Sequence, residues 1–232
     1  MGKYEFLSFP DDKQLAQAGA ERWIERLEGE RFLVALSGGR IARTFFSFAA
    51  NIGKSKRDLF KPTHFFWADE RCVPPTDSES NYRIAQELLF TPLGIPEGQV
   101  HRIRGEDQPE IAASKAAQEL LALAKKSPAG TPLLDLILLG MGEDGHVASL
   151  FPGASPPRPE PVYRAVRASK PPPQRITMSY EVISAAKEVW VLASGSGKEE
   201  ALRASLKSGA TTPLGRVLEQ REKTLILSDI KV

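Results

Sequence analysis

Cysteine is almost missing from this chain: Cys72 stands alone among 232 residues. One thiol excludes an intramolecular disulfide framework, which fits a reducing compartment and leads to the expectation of a cytoplasmic protein. Charge of one sign is missing too. The formal net charge is only +2, so the basic stripe of a nucleic-acid protein is not expected. No apolar run is long enough to span a bilayer, so no membrane partner is expected. The start, Met1-Gly2-Lys3-Tyr4, carries neither a signal-peptide pattern nor a myristoylation motif. Histidine occurs three times, at His64, His101 and His146, and no His/Cys/Asp/Glu spacing supports a metal. The glycine-rich turns do not spell the dinucleotide fingerprint, so no cofactor is expected.

What is present suits one globular domain over residues 1–232, with 41% hydrophobic and 26% charged residues, enough to build a core without staples. Apolar patterning predicts strands at 4–9, 31–36, 63–67, 133–139, 175–178, 189–193 and 224–227, with shorter ones at 100–103 and 162–168. Helices are expected after Pro10-Asp11-Asp12, where Leu15, Gly19, Trp23 and Leu27 repeat at i+4, and at 41–50, 81–90, 111–126, 197–206 and 213–218. Strands alternating with helices imply an α/β fold, a mostly parallel sheet covered by helices on both faces, with room for a small subdomain. Residues 152–173 hold eight prolines and form the least regular stretch.

Ligands in such folds bind beyond the carboxyl ends of the strands. The run 133–139 stops at Gly140, and Gly140-Met-Gly142-Glu143-Asp144-Gly145-His146 follows. A histidine on a glycine-shaped loop there suits proton transfer, because imidazole titrates near neutrality. Ser37-Gly38-Gly39 joins a strand to a helix, so its amides and the helix dipole suit an anion, although an ordinary tight turn looks the same. Asp69-Glu70-Arg71 follows another strand; Asp69 is the candidate to orient His146, and Arg71 offers planar donors for phosphate. Asn81 reads as an N-cap or loop-fixing residue rather than a catalyst. Lys170 and Arg175 flank Pro171-Pro172-Pro173, stiff enough to clamp an anion, though a proline-rich linker or partner segment reads equally well. His64 and His101 read as structural, and Cys72 as a half-buried filler.

Gly140-x-Gly142-x-Asp144-Gly145-His146-x-Ala148-Ser149-Leu150-Phe151-Pro152 resembles the signature of the 6-phosphogluconolactonases, whose superfamily also contains glucosamine-6-phosphate deaminases. Leu36-Ser-Gly-Gly39, Asp69-Glu-Arg71 with Val73-Pro74, Ser80-Asn-Tyr82, His101 to Glu106, Lys170 to Thr177 and Gly195-x-x-Lys198 resemble further blocks of that family. The phosphate loop departs from it: the family continues with Ser-Thr-Pro or similar, and here Arg40-Ile41-Ala42 stands, so Arg40 or Arg43 is left to replace a hydroxyl.

The resemblance implies a Rossmann-like, deaminase-like fold and hydrolysis of 6-phospho-D-glucono-1,5-lactone in the pentose phosphate pathway. His146 would be the general base, with Asp69 behind it. Amides of the loop shaped by Gly142, Asp144 and Gly145 would meet the oxyanion. Gly38, Gly39, Arg71, Lys170 and Arg175 would hold the 6-phosphate. Two rivals stand beside this. A deaminase would carry Asn-Glu in the histidine loop, where this chain has Ser149-Leu-Phe151. A non-catalytic sugar-phosphate sensor would need no base.

Overall fold

The computed structural model describes residues 4–27 and 31–232; the reading of Met1-Gly2-Lys3 lies outside them. Three elements open the chain: β1 (Tyr4–Ser8), α1 (Asp12–Glu25) and β2 (Phe32–Leu36). Asp11 caps α1, its carboxylate accepting from Gln14 N at 2.8 Å, and the expected apolar stripe is buried. Trp23 at its centre packs edge-on to Phe60 and Phe65 and 5.6 Å from Phe45. Phe45 belongs to α2 (Arg40–Gly53), which leads to β3 (Thr63–Trp67) and β4 (Asp69–Arg71).

Next come α3 (Asn81–Ala85), a π turn (Gln86–Phe90) and α4 (Thr91–Leu93), one helical stretch where one was expected. After α5 (Pro109–Leu123) a short hairpin, β5 (Lys125–Lys126) with β6 (Pro132–Leu133), ends that helix earlier than its composition suggests. β7 (Leu136–Gly140), β8 (Tyr163–Arg167), β9 (Gln174–Met178), α6 (Tyr180–Ala185), β10 (Glu188–Ala193), α7 (Glu199–Ser205), α8 (Pro213–Glu219) and β11 (Thr224–Ser228) complete the order.

Six strands form the parallel sheet, in the order β1-β11-β10-β7-β2-β3, flanked by helices. The solid core runs through β2, β3, β7, β10 and β11. Several expectations change in detail. The strand foreseen at 133–139 begins at Leu136, because Asp135 turns its carboxylate to Leu33 N (2.8 Å) and Lys187 Nζ (2.6 Å). Residues 100–103 are not a strand; only Val100 bridges to Phe65. β8 and β9 leave the parallel sheet: β9 pairs antiparallel with β4 on one side and β8 on the other, a separate three-stranded sheet.

Two features open a cleft. From β2 the chain steps one way to β3 and later returns to β7 on the other side of β2, so the strand order reverses there. The β2–β7 ladder also pairs only Val34 with Leu136 and Ala35 with Ile137. Beyond that the ladder stops, and the loops that follow β2 and β7 line one cleft with Gly38, Gly39, Gly140 and Gly142.

Candidate active site

The loop after β7 closes on itself. Gly142 N–H donates to His146 O (2.9 Å) and Gly145 N–H to Gly142 O (3.1 Å). Asp144 Oδ1 accepts from His146 N (3.1 Å) and from His146 Nδ1 (2.5 Å), an aspartate turn that captures the ring two residues on. Burial raises the Asp144 carboxyl, but these bonds and the ring's charge outweigh it and hold it below the usual carboxylate range. The ring lies directly on Gly142, where any Cβ would collide with it, and 5.1 Å from Phe151. Nδ1 is thus committed as a donor, and Nε2 is left to accept a proton.

Asp69, expected behind His146, does something else. Its Oδ2 accepts from Ser149 Oγ (2.7 Å), and Asn81 Nδ2 donates to its carbonyl (2.9 Å). It lines the same cleft as His146, but Asp144 is the partner of the ring. Sequence proximity carried that signal; the analogy with remote carboxylates hid it. The oxyanion expectation changes as well: the N–H groups of Gly142, Gly145 and His146 are consumed inside the loop.

The buried Glu70 ties β4 to α3. Its oxygens accept from Arg71 N (2.7 Å), Asn81 N (2.8 Å), Tyr82 N (2.7 Å) and Ser80 Oγ (3.2 Å). Burial nonetheless pushes its carboxyl up to about 7, against those donors. Ser80, not Asn81, caps α3 through Arg83 N (3.2 Å).

The cations separate into two groups. Arg71 and Arg175 are cross-strand partners on β4 and β9, and both line the cleft. Arg71 Nη1 holds Glu79 O (2.8 Å), and Arg175 Nε holds Pro172 O (3.2 Å). Burial, then Arg71, lowers the Arg175 pKa. Lys170 is not with them: it points to solvent and meets Glu143 at 3.4 Å. The second group was left unassigned by the sequence. Arg40, at the first turn of α2, lays its guanidinium on Gly195, and Lys198 stands near it. Burial, then Arg40, lowers the Lys198 pKa, with Glu143 and Asp229 opposing. Neither cation has an ion-pair partner among the described residues. Gly39 takes φ +98°, which a side chain would resist, and turns the loop into α2. His64 and His101 lie apart from the cleft, bonded to each other at 3.0 Å.

A histidine on a glycine loop and a glycine turn at a helix start share one cleft at a reversal of strand order. A family model described as glucosamine-6-phosphate isomerases/6-phosphogluconolactonase matches residues 10–226. The chain belongs to this family. A 6-phosphogluconolactonase of Treponema pallidum is 37% identical over 210 residues, 89% of this chain and 86% of that protein. One of Haemophilus influenzae is 33% identical, covering 85% and 84%. The solved 6-phosphogluconolactonase of Trypanosoma brucei superposes with a TM-score of 0.81 at 27% identity, over 98% and 96% of the two chains. Among the described residues of this family member no helix is long and apolar enough to cross a membrane, and no cluster of three metal-binding side chains occurs.

Proposed function

We propose that the protein hydrolyses 6-phospho-D-glucono-1,5-lactone to 6-phosphogluconate, in the pentose phosphate pathway, with His146 as general base. The observation that carries the mechanism is the Asp144–His146 bond, which fixes the tautomer and leaves Nε2 to the cleft. A lactone is an activated ester, so neither a covalent nucleophile nor a metal is required. Water adds to C1 while its proton passes to Nε2. The tetrahedral intermediate then breaks its bond from C1 to the ring oxygen, and the imidazolium returns the proton to that oxygen. Asp144 holds the ring through both transfers.

The 6-phosphate rests at the Gly38–Gly39 turn, where the start of α2 supplies amides and a positive dipole end. Arg40 follows that turn in the first turn of α2, with Lys198 near it, and takes the place of the family's missing hydroxyl. Lys170 is exposed and pairs with Glu143 at 3.4 Å, so the phosphate reading rests on the turn and its nearer cations. Phosphate binding far from C1 positions the carbonyl against His146. A lone half-buried thiol, pushed up to about 11 chiefly by burial, is compatible with a cytoplasmic setting.

The test is lactone hydrolysis near pH 7, with substrate generated in situ and the spontaneous rate subtracted. His146→Ala should lower kcat by about 10²- to 10⁴-fold. Wild type that does not exceed the background rate would sink the lactonase reading. Ammonia release from glucosamine 6-phosphate would replace it with a deaminase.

A further inference from the structure

We propose that Arg71 and Arg175 form a carboxylate subsite, which holds the C1 carboxylate of the opened product and, before it, the negative oxygen of the tetrahedral intermediate. The inference rests on the lactonase reading and on a count of charges. The lactone carries one anionic group, its phosphate; the product carries two. Two groups of cations stand at hand: Arg40 and Lys198 neighbour each other beside Gly195, and Arg71 and Arg175 line the cleft. Lys198 has Arg40, Glu143 and Asp229 around it, whereas Arg175 has Arg71, Asp69 and Glu79.

The first group includes Arg40, in the first turn of α2, and so belongs to a helix start with its amides, the preferred seat of a phosphate. The second stands beside the base. The Arg175 guanidinium lies 5.9 Å from the centre of the Phe151 ring, and that ring lies 5.1 Å from His146. Nη1 and Nη2 of Arg175 have no partner among the described residues, because only Nε is engaged, by Pro172 O. A guanidinium fork of this kind pairs with a carboxylate through two parallel bonds.

The histidine loop supplies the independent observation. Gly142, Gly145 and His146 spend their N–H groups within the loop. Those three amides are not available to the developing oxyanion, and the free Arg175 nitrogens are donors in the same cleft. Asp69 does not compete for them through Oδ2, which accepts from Ser149. The charge flow is complete: the carbonyl electron pair moves to oxygen as water adds, and returns as the bond from C1 to the ring oxygen breaks. The resulting acid then ionises, releasing its proton to solvent and leaving the carboxylate on Arg175 and Arg71.

Two ligands separate this role from phosphate binding. 6-Phosphogluconate and D-glucitol 6-phosphate share chain and phosphate, but the second carries CH2OH in place of the carboxylate. Calorimetric titration of wild type should favour 6-phosphogluconate by roughly tenfold or more, the scale of one charge-assisted pair. Arg175→Gln should bring the two affinities within about twofold, while Arg175→Lys should keep part of the preference. Arg40→Gln should weaken both ligands alike and preserve the ratio. Equal affinities in wild type, which needs no variant to fold, would overturn the proposal while leaving the lactonase reading intact. Parallel weakening of both ligands by Arg175→Gln would place Arg175 on the phosphate instead and overturn it as well. Wild type that binds neither ligand would remove the lactonase reading and this inference together.

Discussion

Asp144 decides what His146 can do. Without a partner on Nδ1 an imidazole samples both tautomers and rotates, and only part of its population presents Nε2 as a base. Asp144→Asn keeps the size of the side chain but removes its charge. The neutral amide supports the developing imidazolium less well, so kcat should fall by about 100-fold. Steady-state kinetics of both proteins near pH 7 check this. An unchanged kcat would mean that the charge of Asp144 is not used and that it acts on loop geometry alone. The same pair shows what local spacing reveals. The two residues are two positions apart, so their contact is a property of one turn. By contrast, the expectation that Asp69 backs the ring needed two loops to meet in one particular way, and they meet differently.

At the scale of elements, Glu70 joins β4 to the start of α3 and so sets where Asp69, Arg71 and Asn81 stand. Four donors converge on its carboxylate. Glu70→Gln would turn an NH2 toward one pair of them. The expected loss is about 1–3 kcal/mol, the cost of unpaired buried groups, read from denaturant unfolding. The carboxyl also makes stability depend on pH. Its folded value of about 7 lies above the ordinary 4.5, so between those values the native state keeps a proton that the unfolded chain releases. Stability should therefore fall as pH rises from about 4.5 to 7, and the variant should lack that step. A wild-type stability that rises across this window through Glu70 would show that the donors outweigh burial. Asp144 works in the opposite sense: its lowered value stabilises the fold above the usual carboxylate range, and the contribution is lost as pH falls through it.

Across the whole molecule, the site sits where the strand order reverses between β3 and β7 about β2 and where β4 departs from β3 to build a second sheet. The core that enforces this lies elsewhere. Trp23 is fully buried among Phe45, Phe60 and Phe65, on the α1–α2 side and away from the cleft. Trp23→Ala should cost about 3–5 kcal/mol of stability, seen as a large drop in Tm. The kcat per folded molecule should stay near wild type. A matching collapse of kcat below the melting transition would show that core and cleft are mechanically coupled.

The alternation of apolar runs and helical stripes was enough to determine the parallel α/β frame, because burial period and strand length are local properties of the chain. Gly142, Asp144, Gly145 and His146 were legible for the same reason: one short loop holds them all. Gly38 and Gly39 were legible as a strand-to-helix turn because a strand end and a helix start bracket them. Tertiary structure alone decided the rest. It seated β8 and β9 on β4 rather than in the main sheet. It sent Lys170 to solvent and brought Arg40 against Gly195 and beside Lys198, residues far apart in the chain. It set Arg175 across from Arg71. The physical reason is that side-chain charge carries no record of its distant neighbours. A cation's partner is fixed only when sheet order and loop path bring separate segments to one cleft.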